Sequence, residues 1–144
     1  MKKKAMAKLE IPTNIFNQMV AQAKAEAPIE ACGILAGSNS RAEKIYKMTN
    51  ADKSSDHFMM QPEEQFKVVK DIRAAGLEML AIYHSHPETP ARPSAEDIRL
   101  AITPDVIYVI VSLENEKKPV IKGFFVEDGG VAEAPVRVIE SIIF

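Results

Sequence analysis

Cysteine is scarce in this chain. Cys32 stands alone, so no internal disulfide can close and any zinc site built from several thiolates is excluded. A lone thiol suits a reducing compartment, and a cytoplasmic location is expected. Positive charge is not in excess either: 18 Lys and Arg stand against 20 Asp and Glu, a formal net charge of −2. Without a basic stripe there is little to neutralise a phosphate backbone, which argues against a nucleic-acid partner and against a metal-dependent nuclease. The one basic run, Lys2, Lys3 and Lys4, reads as a solvated end. Long apolar runs are missing, and none approaches membrane-spanning length. The stretch "AMAKLEIP" is too short and too charged for an export signal, so neither export nor membrane association is expected. Repeats, low-complexity tracts and long linkers are absent too. What remains is 144 residues, 47% hydrophobic and 26% charged, which predicts one soluble domain spanning 1–144.

The elements alternate in type. "KLEIP" predicts a short strand. Thr13 is placed as an N-cap, and Ile15, Phe16, Met19, Val20 and Ala23 recur at helical spacing until Pro28. "ACGILAG" is a compact apolar strand, "SNS" a turn, and "EKIYKM" an alternating hairpin partner. The polar stretch Thr49 to His57 predicts a loop. Pro62, Glu63 and Glu64 suit a first helical turn, Phe66, Val69 and Ile72 continue one face, and Gly76 ends it. "LEMLAIYHS" is a strand and "PETPARP" an extended loop. "SAEDIRLAI" is a short helix, "VIYVIVSL" a fully buried strand, and "VIKGFFVED" another, with a last strand near Val136 to Ile139. This order predicts an α/β domain with a central mixed sheet and helices packed on it.

Histidine is also rare, three in all, yet His84 and His86 sit one residue apart at a strand end. Residues i and i+2 of a strand face the same way, so both imidazoles aim at one point. Neutral imidazole is a common zinc ligand, although two surface histidines would give the same pattern. After the proline-rich loop, Ser94 is a favoured N-cap and Asp97 falls in the first helical turn. A capping box accounts for that pair locally. Asp97 can also serve as a third ligand if the loop folds the helix start back over the histidines. Two histidines and one carboxylate leave a fourth position for water, as in catalytic zinc sites. A hydrolytic site further needs an unligated base and an oxyanion donor. Glu30, charged at the start of an apolar strand, is the candidate base, with a solvated junction glutamate as the plain alternative. Ser94 can donate its hydroxyl hydrogen while its oxygen caps the helix.

Taken together, Glu30, His84-Ser85-His86-Pro87, Ser94 and Asp97 resemble the JAMM (MPN+) family of zinc metallopeptidases in identity, order and spacing. "EACGILAG" resembles the family strand around its glutamate. The resemblance implies a curved mixed sheet flanked by helices, related in outline to cytidine deaminases. It implies one Zn2+ held by His84, His86 and Asp97, with Glu30 as base and Ser94 as oxyanion donor. It also implies a substrate class: peptide or isopeptide bonds after the Gly-Gly tail of a ubiquitin-like or sulfur-carrier protein. The loops from Thr49 to His57 and after Asp97 are short. They lack the insertions with which larger members clamp ubiquitin, so linkage selectivity is not expected. "HFMM", residues 57 to 60, either lines a groove for the tail or is core.

Cys32, two residues after Glu30, is expected to be a small buried hydrophobe. Were its sulfur to reach the zinc, the open position would close. His57 is expected to be solvated. A competing reading is a catalytically silent scaffold of the same fold, although no motif position is missing. A zinc deaminase would need His-x-Glu and Pro-Cys-x-x-Cys, which this chain lacks. Monomer and homodimer are both open.

Overall fold

The computed structural model describes residues 8–141; the Lys2–Lys4 run therefore lies outside the described residues. Eight strands form one sheet: β1 (Leu9–Pro12), β2 (Cys32–Ser38), β3 (Arg41–Met48), β4 (Glu78–His86), β5 (Ile107–Ser112), β6 (Val120–Glu127), β7 (Gly130–Ala134) and β8 (Val136–Ile139). The helices are α1 (Thr13–Glu26), α2 (Pro62–Ala74) and α3 (Ala95–Leu100). Strand order is β7-β6-β5-β4-β2-β3-β1-β8. The β4–β5 pair is parallel while β2–β3, β2–β4, β5–β6 and β6–β7 are antiparallel, so the sheet is mixed. Its two outermost strands, β7 and β8, are consecutive in sequence with only Pro135 between them. The Pro135 carbonyl accepts from the Leu9 N–H at 3.0 Å, at the start of the parallel β1–β8 pairing.

Both faces of the central strands are covered, which explains their unbroken apolar runs. Alternation sends Leu35, Ala81, Tyr83, Ile107, Val109 and Val111 into one cluster with Ile15 and Met19 of α1. The intervening Cys32, Ile34, Ala36, Ile82 and Tyr108 join Val68 and Ile72 of α2 in a second. Residues of one parity thus face α1 and those of the other face α2. The β2–β3 hairpin turns on Asn39 and Ser40, both at positive φ (53° and 65°), the two-residue turn whose twist matches the strands.

Four local expectations change. Thr13 is the first residue of α1 and Pro12 its N-cap; the Thr13 hydroxyl donates instead to the Ile139 carbonyl at 2.8 Å. The buried face of α2 is Val68 and Ile72, while Phe66 is 65% exposed beneath the Lys70 ammonium, 5.5 Å from the ring centroid. The expected last strand at Val136–Ile139 is preceded by a further one, Gly130–Ala134, and Pro135, which cannot donate to a ladder, separates them. "LEMLAIYHS" runs one residue further, to His86.

Gly33 is needed for a close approach. A Cβ there would lie 2.2 Å from the Tyr83 ring, which donates its hydroxyl to Gln22 Oε1 at 2.6 Å. Gly33→Ala must displace that ring and break the bond. We expect a loss of about 1–3 kcal/mol, read by urea unfolding; an unchanged midpoint would show that Tyr83 relocates freely.

Candidate metal centre

His84 and His86 are of the parity that faces α2, at the C-terminal end of β4. Both are almost fully buried, at 2% and 4% exposure. Their Nε2 atoms lie 3.2 Å apart. Asp97 comes from the first turn of α3, and its Oδ2 sits 3.0 Å from His86 Nε2 and 3.2 Å from His84 Nε2. The capping box is present as well. Asp97 N–H donates to Ser94 Oγ at 3.0 Å, and Ser94 N–H donates to the same Asp97 Oδ2 at 2.9 Å. The cap and the approach to the histidines use the same oxygen: the helix start aims Asp97 Oδ2 at both imidazoles.

The intervening loop is held back onto β4. His86 Nδ1 lies 2.8 Å from the Pro90 carbonyl. A carbonyl only accepts, so Nδ1 carries the hydrogen and a neutral His86 presents its lone pair at Nε2. Nothing in the spacing of the histidines foretold this carbonyl. Its signal was the proline-rich loop, too short to stray far from the strand it leaves.

Glu30 is the other acid of the site. Its residue is 3% exposed although it precedes β2. Register explains its place. Cys32 pairs with His84 and Gly33 with Tyr83, so continuing the antiparallel pairing sets Ala31 beside Ser85 and Glu30 beside His86. Ala31 and Ser85 do exchange hydrogen bonds, Ser85 N–H to Ala31 O at 2.9 Å and Ala31 N–H to Ser85 Oγ at 2.8 Å. Ligand atoms of Glu30, His84 and His86 all lie within 4.8 Å of one another. Glu30 Oε1 is buried with no partner, as is His84 Nδ1.

Burial dominates the electrostatics. It pushes the Glu30 carboxyl up to about 8, with His86 opposing and Asp97 and Asp56 adding to the rise. It drives His84 toward the neutral ring. Burial would lower His86 too, but its bonds to Asp97 and Pro90 lift it above its ordinary value. Burial works against the Asp97 charge, yet hydrogen bonds from His84 and His86 hold that carboxyl far below the usual range.

This donor set fits zinc. Bonds of about 2.0–2.1 Å in a tetrahedron place neighbouring ligands about 3.3 Å apart. The observed spacings between the two Nε2 atoms and Asp97 Oδ2 are 3.0–3.2 Å. Two neutral-capable imidazoles and one carboxylate, with a second, partnerless carboxylate alongside, suit a divalent ion that binds nitrogen and oxygen.

The remaining candidates divide. Phe58 stacks on His84, with centroids 4.8 Å apart and planes at 26°. It also lines an apolar pocket bounded by His84, Asp97, Leu100 and Tyr108. Met60 is core, packed in the cluster under α2. "HFMM" is thus neither all groove nor all core. His57 is engaged by two acids, Asp52 at 2.9 Å and Asp56 at 3.0 Å, rather than merely solvated. Cys32 shares the face of His84 but is packed in the apolar cluster, where burial pushes its thiol up to about 12. A thiol so reluctant to ionise is a poor ligand. Ser94 Oγ accepts from Asp97, and among the described residues no acceptor takes its hydroxyl hydrogen.

Comparison with known proteins agrees with this geometry. The CysO-cysteine peptidase of Mycobacterium tuberculosis is 39% identical over 135 residues, 92% of each chain. A protein of Thermus thermophilus named as a probable TtuB-protein conjugate cleaving protease is 35% identical over 94 residues, covering 65% of this chain and 63% of that one. A solution structure from Desulfitobacterium hafniense superposes with a TM-score of 0.85 at 42% identity, covering 93% and 94% of the two chains. The profile of prokaryotic homologs of the JAB domain matches residues 12–124. With most of its length matched and the site in place, this chain belongs to the prokaryotic JAB (JAMM/MPN) domain family.

Proposed function

We propose that this protein is a zinc metallopeptidase that hydrolyses the bond following the Gly-Gly tail of a ubiquitin-like or sulfur-carrier protein, acting as one domain over residues 1–144. The observation that carries the reading is the convergence of His84 Nε2, His86 Nε2 and Asp97 Oδ2 beside a buried, partnerless Glu30 oxygen. The substrate class follows the relatives, whose names specify a CysO-cysteine peptidase and a protease for TtuB-protein conjugates. No helix among the described residues is long and apolar enough to cross a membrane.

His84, His86 and Asp97 hold the ion in this reading, since their ligand atoms are the most closely spaced. Glu30, further off, stays free. Zinc bound there lowers the pKa of a water and polarises a carbonyl oxygen. The chain supplies the rest. Glu30 takes the proton of the attacking water at its free Oε1 and hands it to the leaving amine. Burial raises the carboxyl toward neutrality, where acceptance and donation are both accessible. The Ser94 hydroxyl donates to the oxygen that gains charge as the carbonyl becomes tetrahedral. Pro90 fixes the His86 tautomer, and Phe58 shields the His84 face from water.

The test is mass spectrometry of a Gly-Gly carrier extended by one or a few residues after incubation with the protein. Cleavage directly after the second glycine is expected. A chelator should stop it and added zinc restore it. Purified protein should hold about one zinc per chain. A clearly lower content, with no cleavage after zinc is supplied, would favour the silent scaffold.

A further inference from the structure

Register brings Glu30 beside His86, but Glu30 precedes β2 and lies beyond the last ladder pair, so its backbone needs other partners as well. Its own backbone is held by the loop that follows β3. Glu30 N–H donates to the Ser54 carbonyl at 2.9 Å. The Asn50 side chain donates through Nδ2 to the Glu30 carbonyl at 3.1 Å. Asn50 is 3% exposed and spends the rest of its amide on this loop. Nδ2 also donates to the His57 carbonyl at 2.9 Å, with the Ser54 carbonyl 3.3 Å away. Oδ1 accepts from Asp52 N–H and Met59 N–H, each at 3.2 Å. The loop is thereby wound around one buried side chain. It closes where Ala51 N–H donates to the Met59 carbonyl at 2.8 Å. The same loop carries Phe58, stacked on His84.

We propose that Asn50 is a positioning residue for catalysis: its buried amide sets the Glu30 carboxylate and the Phe58 wall in one mutual arrangement. The proposal rests on Glu30 being the base. Asn50 hydrogen-bonds to none of the three residues assigned to the metal, which stand on β4 and α3. Base placement and metal retention are therefore separable. The physical demand is strict, because carbonyl oxygens of Glu30, Ser54 and His57 crowd one side of Asn50 and backbone N–H groups the other. Only a planar group with donors on one end and an acceptor on the other satisfies both. An orphaned buried carbonyl would relax toward solvent and carry Glu30 with it.

Asn50→Asp keeps the shape and removes the amide donors. We expect the variant to bind about one zinc per chain. Its kcat on the tail-extended carrier should fall about 10²-fold. KM should change less, within about threefold, since the misplaced base acts in the transition state. In the metal-free protein, hydrogen exchange at the Glu30 amide should quicken about tenfold while β4 and β5 stay protected. Should Asn50→Asp not fold, Asn50→Ser makes the same measurement with a side chain too short to reach the Glu30 carbonyl. A zinc-loaded variant with wild-type kcat would overturn the proposal, as would a loss of activity that merely tracks a loss of zinc. Glu30→Gln runs alongside. If it turns over normally, the base assignment has failed. If it is inactive while Asn50→Asp is not, only the positioning role has failed.

Discussion

Glu30→Gln is expected to yield a folded, zinc-loaded protein that no longer hydrolyses its substrate. Glutamine matches glutamate in length and volume, so the packing beside His86 survives. The atoms assigned to the metal belong to β4 and α3 and none to position 30, so zinc content is expected to hold. What disappears is proton acceptance at Oε1. General acid–base groups contribute about 10²–10⁴-fold, and here one group both takes and returns the proton, so a loss toward the upper end is expected. Quantitative cleavage of the extended carrier, normalised to bound zinc, is the measurement. Wild-type turnover by the variant would remove Glu30 from the mechanism.

The same substitution has a second signature, in the metal-free protein. Folding raises the Glu30 pKa from 4.5 to about 8 through burial. Across that interval the folded chain holds a proton that the unfolded chain has released. Stability therefore falls as pH rises from about 4.5 to about 8. A glutamine side chain at this position cannot ionise and escapes this loss. The variant should melt above wild type at pH 8, with the gap narrowing toward pH 5. Equal Tm differences at both pH values would mean that Glu30 ionises in the fold as readily as in water.

Asp97→Asn separates the two duties of one side chain. Its Oδ2 accepts from Ser94 N–H and also faces both imidazoles. Asparagine retains an oxygen for the cap, so α3 should form, while the metal-free protein should lose the stability that the ionised carboxylate gains from His84 and His86. It lacks the negative charge that the ion requires. Substitutions of groups that only orient a ligand cost about 10–100-fold in metal affinity, and loss of a direct ligand should exceed the upper figure. Hydrolysis should vanish with the metal and return only partly under excess zinc. Competition with a chelating dye reads the affinity, and circular dichroism reads the fold. Full zinc affinity in the variant would leave Asp97 as a cap alone and move the third ligand to Glu30, whose ligand atom shares a 4.8 Å envelope with both histidines.

The legible parts of the fold were those written in local periodicity. Two-residue alternation put His84 and His86 on one face, and an N-cap pattern put Asp97 in a first turn. The failures have a common cause. Phe66 fitted a helical spacing, yet the face of α2 that meets the sheet is Val68 and Ile72. Periodicity marks an apolar stripe but not which stripe docks. Thr13 had the chemistry of a cap, but its hydroxyl found Ile139, 126 residues away. β7 went unseen because Pro135 parts it from β8 and the two run on opposite edges of the sheet. Asn50 gave no sign beyond a polar residue opening a polar loop. Its acceptors are backbone carbonyls, which the sequence does not distinguish.

By itself the sequence determined the chemistry available: two imidazoles in register, a carboxylate on a capped helix, a lone acid before an apolar strand, and too few thiolates for a cysteine-built site. Spacing along a strand or within a helical turn is a local property, so these were readable. Only the tertiary structure decided that they meet. Glu30 and His86 are far apart in the chain, and their proximity comes from β2 docking antiparallel beside β4 with Cys32 opposite His84. That register is chosen by burying both faces of the central sheet at once. It is a property of the packed whole, and no short segment encodes it.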